Sequence, residues 1–402
     1  MYAGTGSEGH VAREIVIGQL RVQQLARADG RRSWTILWPE GLVHAEADRW
    51  LREHDGSGTQ RTYAYLLVDH LRWLDRECLG LEAVTLRDLQ RYMGIVGAEV
   101  AMPLGGPWRV GKRLYGRAAL SAAAACLKGF YLHQASLGVN GDLGGVLGRT
   151  RLPSRADRRR SFLGHVKTSA PANPLAPRGP GRRHPKMLPD GAREKLVAAA
   201  GSARDVLVVT WLADGGLRIG ELCGLHLADL HLRDDAACGQ CRVPHVHVCH
   251  RPGNPNGAGA KTKYPWRVQD GTVTGGLIRQ VSPAMIHAYF DYMTGEYPGG
   301  ARHGMLLVQL HGTDAGQPLA AAGARQMLGR AGERAGLGRV RPHAFRHTFA
   351  NAVLDASGGN LLIARDAGGW ASTAVVDEIY AHVDMHDAAF GAALATVWGE
   401  AR

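Results

Sequence analysis

The chain has 402 residues, too many for one ordinary hydrophobic core, and so at least two domains are expected. Forty-eight Lys and Arg stand against 36 Asp and Glu, a net charge of +12 that points to a polyanionic partner, nucleic acid or an anionic membrane surface. No apolar run approaches the roughly 20 residues that span a bilayer, the polar start Met1 to His10 has no leader character, and six cysteines in this length make no disulfide framework, so a cytoplasmic protein is expected.

Residues 1–49 form an N-terminal extension, and the first clear element follows them. Tyr63, Leu66, Leu67, Leu71 and Leu74 recur at helical spacing between Thr59 and Gly80, the stripe of an amphipathic helix. A second helix starts after Thr85, which stands three residues before Asp88 in a capping pattern, and a third runs through the Ala-rich stretch that Gly138 ends. Residues 50–148 therefore read as an all-α domain. Residues 149–187 read as a linker, since the stretch from Arg149 to Lys186 holds eleven Lys or Arg, one acid and six prolines, and so carries ten of the twelve net charges. Its clusters at Arg158, Arg159, Arg160 and at Arg182, Arg183 could follow a phosphate backbone; a solvated charge run without a partner is the plainer alternative.

Residues 188–402 are mixed and mainly helical. Helices are expected at 190–200, 205–216, 282–297 and 320–335, a strand at 243–250, and its hairpin partner at 264–270. The strand lies in CGQCRVPHVHVCH. Its Cys-x-x-Cys is half of a zinc site, with Cys238, Cys241, His245 and Cys249 as the set within reach. The favoured reading is free thiols and strand-face histidines, because His245 and His247 share one face of the strand.

Four segments carry chemistry together: LRIGEL at 217–222, AKTKYPWRV at 260–268, RPHAFRHTFAN at 341–351 and GGWASTAVVDEIYAHV at 368–383. Each alone is weak, since HxxR recurs by chance in helices and a lone Tyr is usually packing. In this order and spacing they resemble the tyrosine recombinase (phage integrase) family, over most of the chain. The resemblance matches Arg218 and Glu221 to an R-x-x-E helix start, His343 and Arg346 to H-x-x-R, Trp370 to a His-or-Trp position and Tyr380 to Y-x-H. It matches Lys261, seven residues before Val268, to a hairpin lysine, with Lys263 as competitor. Trp370 and Tyr380 are ten apart, one more than is common, which implies a small insertion.

The resemblance implies a helical core-binding domain and a catalytic domain with a small sheet, closing as a C-shaped clamp on double-stranded DNA. It implies four protomers on two recombination sites, and no cofactor. The chemistry fits the residue types. Attack on a phosphodiester builds negative charge on a pentacoordinate phosphorus, and two guanidinium forks, Arg218 and Arg346, can clamp the non-bridging oxygens without a metal. Tyr380 has a hydroxyl pKa near 10 and must lose a proton as it attacks, with His343 as acceptor or phosphate donor. The leaving 5′ oxygen needs a proton, for which Lys261 is placed, while Glu221 orients an arginine and Trp370 braces the site or offers its N–H. The apolar C-terminal stretch AAFGAALATVWGEAR suits docking on a neighbouring subunit or on its own domain. The alternatives are a relaxing enzyme of the type IB topoisomerase kind and a catalytically silent DNA-binding protein; the intact residue set argues against the second.

Overall fold

A computed structural model describes residues 19–27, 32–55, 58–97, 113–152, 170–177, 186–262, 264–370 and 372–380. It divides the chain into two units, residues 1–181 and 182–402. In the first unit, strands β1 (Arg21–Ala26) and β2 (Arg32–Leu37) pair antiparallel, and helix α1 (Ala45–Arg52) follows. These precede the expected domain start yet belong to its core, since Leu20, Ile36 and Ala47 are buried with Trp50 and Leu51. The described residues of the expected extension from Leu20 onward therefore share the domain's core. β1 hid in the sequence because nearly all its side chains are exposed, so it shows no alternation.

The Leu stripe becomes α2 (Gly58–Arg76), with Leu66, Leu67, Leu71 and Leu74 buried, each contributing about 1.5–3 kcal/mol by area. Helix α3 (Leu86–Gly97) starts at the expected cap: the Thr85 N–H donates to Asp88 Oδ2 at 3.0 Å and the Asp88 N–H to Thr85 Oγ1 at 3.3 Å. The Ala-rich run forms α4 (Arg117–Ser136), and α5 (Gly141–Leu147) packs on it. Part of the expected linker is folded here too. β3 (Thr150–Arg151) pairs with β4 (Ala170–Pro171), Leu175 is buried in the same core, and Asn173 Nδ2 donates to the Ala124 carbonyl at 2.9 Å.

The second unit is built around one helix. α6 (Ala192–Ala198) leads to α7 (Ala203–Gly215), which Ser202 caps by accepting from the Asp205 N–H. Leu207, Val208, Val209, Thr210, Trp211 and Leu212 of α7 are all buried, the pattern of a helix enclosed on every side. α8 (Ile219–Cys223) follows at once. A three-stranded antiparallel sheet has the order β5 (Leu230–His231), β6 (His245–Val248), β9 (Leu277–Gln280), and a separate hairpin joins β7 (Trp266–Gln269) to β8 (Thr272–Gly275). Helices α9 (Pro283–Gly295), α10 (Ala321–Arg334), α11 (Pro342–Ala356), α12 (Leu361–Gly368) and α13 (Thr373–Tyr380) complete the described part.

The expected pairing of 264–270 with 243–250 is corrected: β6 pairs with β5 and β9, while β7 pairs with β8. The reason is local. Asp270 and Gly271 both have positive φ, 50° and 75°, the geometry of a two-residue turn whose twist suits a hairpin, so the chain folds back at Asp-Gly.

His70 lies at the centre of the first unit, fully buried, with its Nε2 2.8 Å from the Tyr131 hydroxyl. Burial lowers its pKa from 6.5 to about 3. The unfolded imidazole therefore takes up a proton below pH 6.5 that the folded one refuses. Stability from this group is complete above that pH and is lost as pH falls, by up to about 1.4 kcal/mol per pH unit. His70→Gln, which can still pair with Tyr131 but does not titrate, should flatten the urea-unfolding stability of this unit between pH 6 and 4 by about one proton. Equal slopes for the two proteins would contradict this account.

Candidate active site

The site is assembled at the C-terminus of α7. A helix ends in carbonyls without intrahelical donors and carries partial negative charge there. Two buried arginines supply both the donors and the charge. Arg279, from β9, donates through Nη2 to the Gly215 carbonyl at 2.5 Å, and Arg346, from α11, donates through Nη1 to the Gly216 carbonyl at 2.7 Å. They are 4% and 3% exposed. Arg346 stacks 4.1 Å from the ring centre of Trp370, and Arg279 lies 5.9 Å from that of Phe349 and reaches the Asp366 carbonyl at 3.4 Å. Burial pushes the Arg279 pKa down to about 10, Glu221 raising it and Arg218 lowering it, which leaves it charged at neutral pH.

Two residues beyond Gly216, Arg218 begins α8. Glu221, 2% exposed, accepts from the Arg218 backbone N–H at 2.8 Å and from its Nη1 at 2.5 Å. One carboxylate thus caps the helix and aims the guanidinium, whose side chain is 29% exposed. His343 is the second residue of α11 and open to solvent. Its pKa is lowered by lost hydration first, then by repulsion from Arg346, Arg218 and Lys261, with Glu221 opposing. The imidazole is therefore neutral at pH 7. Next to it His347 is shifted the same way by burial, His343 and Arg346.

The structure thus brings together Arg218, Glu221, His343, Arg346 and Lys261. Lys261 is exposed and stands in the irregular segment between β6 and β7, ahead of the β7–β8 hairpin and not on the hairpin that the resemblance implies. That segment is held by His250 Nδ1, 2.7 Å from the Ala260 carbonyl. Trp370 is buried with Ala350, Leu354, Ala364 and Val376, and the Arg346 guanidinium lies over its ring. Tyr380 ends α13, and its side chain lies outside the described residues. Lys263, Arg158, Arg159, Arg160, Arg182, Arg183 and the C-terminal stretch also lie outside them. Of the cysteine and histidine set, Cys238 and His245 meet each other together with His231 and His247; Cys249 lies instead beside Asp229 and Arg251, and Cys241 is not in the group.

Sequence reasoning missed Arg279 and His231. Arg279 sits in LIRQ after the Gly275–Gly276 pair, a short run readable as a strand, and His231 in the short alternating LHLR run.

The phage integrase family profile matches residues 277–387, which include Arg279, His343, Arg346, Trp370 and Tyr380. Transposase A from transposon Tn554 of Staphylococcus aureus is 25% identical over 194 residues, 48% of this chain and 48% of that protein, so the chain spans about half the length of the curated relative it matches. Among solved structures, the Tn1549 transposon integrase in complex with transposon right end DNA aligns with a TM-score of 0.53 at 15% identity, covering 87% of this chain and 98% of that one. XerH site-specific recombinase bound to its palindromic difH substrate aligns with a TM-score of 0.50 at 14% identity, covering 85% and 80%. These likenesses establish the fold, that of the tyrosine recombinases.

Gly216 is left-handed, with φ +57°, and an added Cβ would stand 2.3 Å from Phe349 Cδ1. Gly216→Ala should therefore cost about 1–3 kcal/mol through backbone strain, with the clash in addition. Combined with Phe349→Ala it should cost clearly less than the two single changes added together, measured as a double-mutant cycle by chemical denaturation. Strict additivity would show that the ring and the turn are not in conflict.

Proposed function

We propose that this chain, which carries a phage integrase family domain on the tyrosine recombinase fold, is a site-specific recombinase that cleaves and rejoins DNA through a 3′-phosphotyrosyl intermediate. The observation that carries the reading is the convergence of Arg218, Arg346, His343 and Lys261 at the end of α7, with Glu221 committed to Arg218. Such a cluster of cations repels itself and is stabilised by a dianionic phosphorus centre.

In this mechanism the Tyr380 oxygen attacks the phosphodiester phosphorus and its proton passes to His343, which lost hydration and then the surrounding cations keep neutral and ready to accept. Arg218 and Arg346 hold the non-bridging oxygens as charge grows on them. The bond from phosphorus to the 5′ oxygen breaks, and that oxygen takes a proton from Lys261. The products are a 3′-phosphotyrosyl ester and a free 5′ hydroxyl. Because the ester conserves the bond, a 5′ hydroxyl from a partner strand can reverse the step without ATP. Double-stranded DNA is then the partner, with four protomers acting on two sites in the cytoplasm and the arginine-rich linker along the phosphate backbone. No helix among the described residues is long and apolar enough to cross a membrane.

Tyr380→Phe should abolish the covalent adduct on a suicide DNA substrate while DNA binding, dominated by phosphate contacts, changes little. Adduct persisting in this variant would overturn the nucleophile assignment, and loss of binding along with the adduct would mean that Tyr380 is structural.

Lys261 and Lys263 are separated by a 5′-bridging phosphorothiolate substrate, whose sulfur leaves without a proton. Lys261→Ala should slow cleavage of ordinary DNA by roughly 10²–10⁴-fold and be largely rescued on the sulfur substrate. Lys263→Ala should show a smaller defect on both. Rescue at Lys263 instead would move the general acid two residues along.

A further inference from the structure

Away from this site, His231, Cys238, His245 and His247 each present one ligand atom, and these four atoms all lie within 4.8 Å of one another. They come from β5, the β5–β6 loop and β6. His245 and His247 are fully buried. The side-chain pairings show which atoms face the centre. His245 Nδ1 lies 2.7 Å from the Val243 carbonyl and His247 Nδ1 2.6 Å from that of Gly275, so each Nδ1 carries the proton and donates it. His231 bonds the backbone of Val273, and its Nε2 has no hydrogen-bond partner, which puts that bond on Nδ1. All three rings therefore turn an unprotonated Nε2 inward. The Nε2 of His247 is buried with no hydrogen-bond partner, like that of His231. His245 Nε2 is 3.1 Å from Cys238 Sγ.

A hydrogen bond from the Cys238 thiol to His245 would satisfy those two groups and leave two buried imidazole nitrogens with nothing, at a cost of about 1–3 kcal/mol each. A metal ion satisfies all four at once. Imidazoles whose outer N–H groups are held by backbone carbonyls are the arrangement that orients histidine ligands toward a metal.

We infer that His231, Cys238, His245 and His247 bind a structural zinc ion. Three imidazoles and one thiolate make a closed tetrahedral set of borderline softness, which suits zinc and leaves no open position for chemistry. Zinc with nitrogen ligands at about 2.1 Å and sulfur at about 2.3 Å spaces its ligand atoms about 3.4–3.7 Å apart, so atoms as far apart as 4.8 Å draw in by about 1 Å as it enters, while His245 Nε2 and Cys238 Sγ, 3.1 Å apart, spread by about half an ångström. Binding releases one proton, from the Cys238 thiol, and leaves the imidazoles neutral. The ion ties β5 to β6, and through the Val273 and Gly275 carbonyls it fixes β8 against both. β6 runs directly into His250, which holds Ala260 beside Lys261, so the metal steadies the framework from which that lysine projects.

The test uses the full-length chain, untagged and dialysed against metal-free buffer, with bound metal measured by mass spectrometry. About one zinc per chain is expected. Cys238→Ser and His247→Ala should lower retention by roughly tenfold or more, while Cys241→Ser and Cys249→Ser keep it. Because His247→Ala removes a buried ring and can unfold the protein, Cys238→Ser, in a loop and only partly buried, carries the comparison, with circular dichroism confirming the fold. Cobalt added to chelator-treated chain should give the intense visible bands of a tetrahedral site, with a thiolate charge-transfer band that Cys238→Ser removes. A chain that retains no zinc and gives no tetrahedral cobalt spectrum would overturn the site. Loss of zinc in Cys241→Ser equal to that in Cys238→Ser would overturn the ligand set, and retention of copper or nickel in place of zinc would overturn the metal.

Discussion

The second unit is organised by the capping of one buried helix with two buried arginines. Arg279 and Arg346 donate to consecutive carbonyls at the end of α7, those of Gly215 and Gly216. A buried guanidinium without compensation is costly, and an unpaired helix terminus is costly as well; joining them removes both penalties. The result is geometric. β9, α11 and the start of α8 are fixed to one another through two peptide groups, and Arg218 follows two residues later. Gly216 is essential to this turn because its left-handed backbone and the Phe349 ring leave no room for a side chain.

The same turn sets the electrostatics. Lost hydration first, then Arg346, Arg218 and Lys261, hold the pKa of His343 down, and Glu221 acts the other way. That carboxylate is already bonded to Arg218. The cluster is therefore left with excess positive charge near the protein surface, where an effective dielectric near 20 makes such repulsions worth a few kcal/mol at close range. A phosphate relieves them. Trp370 contributes to this from below: its indole face gives Arg346 a cation–π partner that takes no charge away from the guanidinium.

Much of this was readable from residue order. The Leu stripe of α2 and the Thr85–Asp88 cap are local signals and gave the right elements, and the spacing of Arg218, His343, Arg346 and Tyr380 named the fold before any geometry was known. What escaped has physical reasons. β1 shows no alternation because it is exposed on both faces, so the domain begins earlier than its hydrophobic pattern does. The Asp270–Gly271 turn was a local signal passed over in favour of a longer-range pairing. Arg279 stands in a run readable as a strand, but nothing local marks it as part of the site, since its importance lies in burial against a carbonyl 64 residues away. The Cys-x-x-Cys drew attention to Cys241, whereas the fold selects partners by strand register: His231 stands opposite His245 in the β5–β6 pair.

The double use of Glu221 has a consequence in entropy. An arginine side chain free in solution has about 2 kcal/mol of rotamer freedom, which a flexible phosphate clamp would lose on each encounter with its substrate. In this chain the same carboxylate that closes the first turn of α8 also holds the guanidinium of Arg218, so its rotamer is selected when the helix forms. The ordering is settled once, during folding. In the proposed reaction a phosphate would meet a fork already set, leaving the free energy of contact available for distinguishing the crowded pentacoordinate state from the relaxed diester.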